Sequence, residues 1–109
     1  MALYLITANH ILNLGIFHNP NQTALCWVNE EDHCRIISFE SEVNVDGSAN
    51  PDKGNIPKVF QRFGQLSDAI KDAATAAGAK LMWNETLGFL GTCPSNLGTG
   101  LRYVCMYTV

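Results

Sequence analysis

The chain has 109 residues, 47% of them apolar and 16% charged, with a formal net charge of -3. That length fits one small domain or a piece of a larger one, and that balance excludes a disordered chain. The acidic balance, with Lys53, Lys58, Arg62, Lys71 and Lys80 scattered, excludes a basic nucleic-acid footprint, and no apolar run approaches the ~20 residues of a membrane span.

In chain order, residues 1–17 (MALYLITANHILNLGIF) are moderately apolar. They lack an early Lys or Arg and are broken by Thr7, Asn9, His10 and Asn13, so they read as a segment packed on a core, with a signal peptide as the weaker alternative. Residues 18–22 (HNPNQ) carry turn chemistry. Residues 23–29 (TALCWVN) and 33–40 (HCRIISFE) read as two strands, rich in β-branched and aromatic side chains. The short acidic link of Glu30, Glu31 and Asp32 joins them as an antiparallel hairpin. Residues 41–55 hold Asp-Gly, Asn-Pro and Lys-Gly steps and read as a surface loop.

Residues 56–77 form the clearest predicted helix. Ile56, Val59, Phe60, Phe63, Leu66, Ile70, Ala73 and Ala77 recur at helical spacing. Asn55 can cap its start, Pro57 suits its first turn, and Gly78 can end it in the left-handed conformation. Gly64 either weakens this helix or lets another element approach closely. Residues 81–83, 87–92 and 101–109 are further strand candidates. The expected fold class is α+β, a mostly antiparallel sheet covered by one main amphipathic helix. An edge strand at residues 101–109 would leave backbone groups unpaired, and a domain this small buries proportionately little surface, so the chain is expected to be marginal alone. Its charged share, below the ~25% usual for globular proteins, points to surface meant for burial against missing chain or a partner.

Cys26, Cys34, Cys93 and Cys105 form no CxxC pair, and no histidines stand at zinc-finger spacing. Free thiols in a reducing compartment, and no metal ligands, are expected. Two stretches carry candidate chemistry. The triplet Glu30, Glu31 and Asp32 is either a solvated hairpin tip or a carboxylate corner at the end of a buried strand, able to receive a cationic group. Residues 92–102 (TCPSNLGTGLR) are either a structural turn or a site: glycines let backbone N–H groups approach an anion, and arginine binds phosphate or carboxylate at two points. Ser95 can donate to a Cys93 thiolate and stabilise it.

Together these stretches resemble the phosphagen (guanidino) kinases, the creatine and arginine kinase family. The resemblance is carried by GIFHN (15–19), WVNEEDHCRIIS (27–38), VFQRF (59–63) and LGFLGTCPSNLGTGLR (87–102), in the family's order and with similar spacing. It implies transfer of the γ-phosphoryl of MgATP to a guanidino nitrogen of a small metabolite, of creatine or arginine type, with Mg2+ bound through the nucleotide and MgADP as the product. It implies Glu31 as the catalytic glutamate that holds the guanidinium and accepts its proton. Glu30 and Asp32 would be its acidic neighbours, Cys93 a thiolate near the guanidinium, Ser95 the residue tuning that thiol, and Asn96 part of the substrate loop. Arg35 and Arg102 would clamp the nucleotide phosphates, and Trp27 would pack by the site. The implied location is cytoplasmic.

The sequence also departs from the family pattern. Phe17 stands where the family has tryptophan, and Met106 where it has a nucleotide-contacting histidine. Family members are far longer. The expectation is therefore a partial C-terminal catalytic domain over residues 1–109, with the resemblance spanning about 15–102, and little turnover by this chain alone. The alternative expectation is a non-catalytic fragment associating with a full-length kinase, another copy or a missing domain. Phosphorylation of protein arginine is a third reading, and a cysteine hydrolase built on Cys93 the weakest, since no histidine is placed as its base.

Overall fold

The computed structural model describes the backbone of residues 4–9 and all atoms of residues 14–105. Four strands run up and down: β1 (Tyr4–Asn9), β2 (Leu14–His18), β3 (Ala24–Val28) and β4 (Cys34–Ser38). They form one antiparallel sheet in the order β1-β2-β3-β4, with a bulge in the first pairing between Leu5 and Thr7. The single helix α1 (Ile56–Ala76) follows, then the short hairpin β5 (Trp83–Asn84) and β6 (Gly88–Phe89), and a 3-10 turn at Pro94–Asn96. The α+β class expected from the sequence is the observed one.

The β2–β3 turn is held by Asn19, which is buried. Its Oδ1 accepts from the N–H groups of Thr23 (2.8 Å) and Ala24 (3.0 Å), and its Nδ2 donates to Thr23 Oγ1 (2.9 Å). A short amide side chain thus closes the turn and sets β3 in register, Ile16 opposite Trp27 and Phe17 opposite Cys26. The β3–β4 hairpin pairs Val28 with Cys34 and Trp27 with Arg35, so the acidic triplet lies at its tip.

Helix α1 begins where Asn55 Oδ1 accepts from Lys58 N–H (3.1 Å), with Pro57 in the first turn, and the chain leaves it through Gly78 at φ +73°. The helix packs on β4 and buries Leu66, 4% exposed, while Ile56 (51%) and Phe60 (61%) stay open. Burial of one such leucine contributes about 2 kcal/mol. The helix is also fixed by polar links. Ser38 Oγ donates to Val59 O (2.8 Å), and the Arg62 guanidinium pairs with Glu40 and donates to the carbonyls of Thr23 (3.2 Å) and Phe39 (3.0 Å). Burial pulls the Glu40 carboxyl upward, but the hydrogen bonds from Arg62 and Asn50 and the nearby cations hold it below the ordinary glutamate value.

One expectation needs correction, and one pair of alternatives, that at Gly64, is narrowed. Residues 101–105 are not a strand: no β-strand pairs with them among the described residues, and composition alone does not supply one. Residues 106–109 lie outside the described residues. Gly64 admits no close neighbour, since a Cβ there would meet nothing within 4 Å. Conversely, β1 and β2 arise from the segment read only as apolar packing. Whether its side chains within residues 1–13 meet the core lies outside the described residues.

Candidate active site

The hairpin tip turns through Asn29, whose φ of +55° falls in the left-handed region that asparagine tolerates better than most residues. Its N–H bonds His33 O at 3.0 Å, which closes the tip and projects the acidic side chains outward. Arg35, two strand positions back on β4, reaches all three. Its guanidinium donates to Glu31 Oε2 at 2.8 Å and to Asp32 Oδ2 at 3.3 Å, and lies 3.5 Å from Glu30 Oε2. The Glu31 hydrogen bond, reinforced by Asp32 and Glu30, holds Arg35 more firmly protonated than usual. The same cation sits 5.8 Å from the centre of the Trp27 ring. Trp27 Nε1 is buried without a hydrogen-bond partner among the described residues.

The second stretch arrives by way of β6. Gly98 folds back on Phe89, with Phe89 N–H donating to Gly98 O (2.7 Å) and Gly98 N–H to Phe89 O (3.3 Å). Gly88, at φ +73°, has Gly98's backbone so close that an added Cβ would collide with it. The segment between therefore forms a tight loop carrying the 3-10 turn. Cys93 precedes that turn, and its Sγ lies 3.0 Å from Ser95 Oγ.

Asp32 joins the two stretches. Its Oδ1 accepts from Thr92 N–H (3.1 Å) and its Oδ2 from Asn96 Nδ2 (2.8 Å), while Asn96 Nδ2 lies 3.5 Å from Glu31 Oε2. Gly91 permits this contact, because a Cβ there would stand 2.7 Å from Asp32 Oδ1. An open concavity of about 460 Å3 is lined by Asn29, Glu30, Glu31, Asp32, His33 and Thr92. Residues 60 and more positions apart in sequence thus share one acidic corner. Chemically it is a set of planar acceptors that already grips a guanidinium, that of Arg35.

The sequence profile described as "ATP:guanido phosphotransferase, C-terminal catalytic domain" matches residues 4–109. The chain belongs to the guanido phosphotransferase family. Among its relatives, "Creatine kinase M-type" of Canis lupus familiaris is 49% identical over 88 residues, which is 81% of this chain and 20% of that protein. "Creatine kinase, flagellar" of Strongylocentrotus purpuratus is 47% identical over 88 residues, covering 81% of this chain and 7% of that protein. The crystal structure of lombricine kinase superposes with a TM-score of 0.66 at 44% identity, over 81% of this chain and 21% of that one. The chain therefore spans about a fifth or less of the length of these relatives.

Of the site residues that the family resemblance implies, the structure gathers Glu30, Glu31, Asp32, Arg35 and Asn96 at one corner, with Cys93 and Ser95 on the loop that Asp32 anchors. Arg35, expected on phosphates, is held by the carboxylates. Arg102 lies on exposed chain beyond the loop and makes no ion pair among the described residues. Sequence reasoning missed Gly91 and the Thr92 N–H. The only signal was a glycine directly before the Thr92–Cys93 step, which reads equally as strand punctuation. No described helix is long and apolar enough to cross a membrane.

Proposed function

We propose that this chain supplies the guanidinium-binding side of a phosphotransfer site, in which the γ-phosphoryl of MgATP passes to a guanidino nitrogen of a small metabolite. The observation that supports this reading is the grip of Glu30, Glu31 and Asp32 on the Arg35 guanidinium. An acceptor guanidinium is protonated at neutral pH, so its attacking nitrogen needs a carboxylate that both orients it and takes its proton, the role assigned to Glu31. Phosphoryl transfer otherwise depends on in-line positioning and on neutralising phosphate charge.

In this reading Asp32 and Asn96 hold the loop that carries Cys93 beside the acceptor nitrogens, and Ser95 orients the Cys93 sulfur. Arg35 leaves the corner for the nucleotide phosphates, joined by Arg102, because a planar two-point donor suits phosphate oxygens. Magnesium enters with the nucleotide. The run CPSNLGTG favours a creatine-type acceptor, in line with the relatives named creatine kinases. A cytoplasmic location goes with that reading.

Arg62 is committed to Glu40 and to backbone carbonyls, so phosphate neutralisation would fall to Arg35 and Arg102. The chain alone is therefore expected to bind a guanidino compound while turning over little or none of it. Proton NMR titration with creatine and with arginine tests the first part, and a coupled assay with MgATP the second. Expected are shifts centred on residues 29–33 and 92–96, weakened about tenfold in Glu31→Gln, a loss equivalent to about 1.4 kcal/mol. Absence of these shifts overturns the binding reading; robust turnover that Glu31→Gln abolishes overturns the expectation of inactivity.

A second reading, a non-catalytic fragment that docks on a full-length kinase, is favoured by the open apolar residues Ile56, Phe60, Met82, Trp83 and Val104. Size-exclusion mobility of the chain, alone and mixed with a full-length creatine kinase, separates the two.

A further inference from the structure

One pair of reactive groups lies outside the acidic corner. Cys26 on β3 stands opposite Ile36, and Cys34 on β4 stands opposite Val28, two positions from Ile36. Both side chains thus project from the same face of the hairpin as diagonal neighbours. Their sulfurs are 3.5 Å apart. Cys26 is buried, and Cys34 is exposed at the base of the acidic tip.

We infer that Cys26 and Cys34 form a reversible thiol–disulfide pair across β3 and β4, with Cys34 as the attacking thiol and Cys26 as the resolving one. The asymmetry of the site fits these roles. The hydrogen bond from Cys26 lowers the Cys34 thiol to about 7, against the opposing effect of burial. The same hydrogen bond, with burial, pushes Cys26 up, so Cys26 keeps its proton and donates it. A partly ionised, solvent-reachable thiol beside a shielded second thiol is the arrangement that captures an oxidant and then resolves it.

The oxidant is a hydroperoxide, such as hydrogen peroxide. The Cys34 thiolate attacks one peroxide oxygen and the O–O bond breaks, giving a Cys34 sulfenic acid and hydroxide, which takes up a proton to form water. The Cys26 sulfur then attacks the Cys34 sulfur. The S–O bond breaks, the Cys26 proton leaves with the hydroxyl as a second water, and the disulfide remains. A small thiol reductant reverses this through a mixed disulfide, taking two thiols to one disulfide. The sulfurs must close from 3.5 Å to about 2.05 Å, which draws the β3–β4 edge together directly beneath Glu31 and Arg35.

The test needs no assumption about phosphotransfer. No Lys or Arg lies between the two cysteines, but Glu30 and Glu31 do, so cleavage after glutamate separates them unless a disulfide holds the pieces. The reduced chain is treated with hydrogen peroxide, blocked with iodoacetamide, cleaved after glutamate and analysed by mass spectrometry. Expected is a joined Cys26–Cys34 peptide pair, lighter by two hydrogens, which dithiothreitol releases. In Cys34→Ser, oxidation of the Cys26 thiol should slow about tenfold or more. In Cys26→Ala, Cys34 should proceed to sulfinic acid. If Cys26→Ala fails to fold, the first two measurements decide. A Cys26 thiol left free while Cys34 reaches sulfinic acid in the unsubstituted chain overturns the inference, as does a disulfide that joins either cysteine to Cys93 or Cys105.

Discussion

Arg35 and Asp32 organise the corner in opposite ways. Arg35 neutralises three carboxylates that would otherwise repel one another, and each pair is partly exposed, so each contributes only about 0.2–1 kcal/mol. Arg35→Ala should therefore lower hairpin stability by about 1 kcal/mol. Methylguanidinium at millimolar concentration should raise the melting temperature of that variant more than that of the parent, where it must displace Arg35; equal response of both would show that the carboxylates do not act as a guanidinium site. Asp32, 17% exposed, holds the Cys93 loop through one N–H and one amide. Asp32→Ala should cost about 2 kcal/mol and speed amide exchange at Thr92. Gly91→Ala should reproduce that exchange pattern with every carboxylate still present in the sequence, because its Cβ would displace Asp32 Oδ1. Normal protection at Thr92 in both variants would remove Asp32 from this role. The carboxylate triplet and the cysteine loop were legible as motifs because their residues are contiguous. The Asp32–Thr92 bond was not, because it depends on a backbone group whose identity carries no side-chain signal.

The elements divide according to whether their signals are local. Helix α1 was legible within one residue, since its cap, proline, apolar stripe and terminal glycine all lie in its own sequence. The β3–β4 hairpin was legible for the same reason. Strands β1 and β2 were not, because Asn9, Leu14 and Gly15 interrupt any period-two pattern and β2 is held extended by its pairing with β1 and β3, which lies outside its own sequence. Residues 101–105 failed in the opposite direction. Their composition favours a strand, but composition does not create a neighbour. Gly64 offers a clean check on α1. It sits within the helix with open space at its Cβ position, so Gly64→Ala should stabilise the helix by about 1 kcal/mol in thermal melts followed by circular dichroism. A loss of stability would reveal a close approach there after all.

At the scale of the molecule, the buried apolar core of the described residues is thin: Ala24, Cys26 and Leu66. Polar links therefore carry unusual weight in holding helix to sheet, and the Arg62–Glu40 pair, 13% and 4% exposed, is the main one. Removing one partner of a buried pair leaves the other charge stranded, so Arg62→Ala should cost about 3 kcal/mol. The pair also sets an acid limit. Glu40 is held below its ordinary value of 4.5, so its contribution is complete above that value and fades as pH falls through its lowered folded value. Melting temperature should therefore drop on acidification below about pH 4.5, and Glu40→Gln should flatten that part of the profile; an unchanged slope in the variant would rule the pair out as its cause. The Arg35 contact has a further consequence for any ligand. A corner already filled by one guanidinium takes up another by ion exchange. The local charge count does not change, so binding of a guanidino compound should depend only weakly on ionic strength, and its measured strength is a difference between two similar cations. Selectivity must then come from what the exchange leaves exposed on the rest of the incoming molecule.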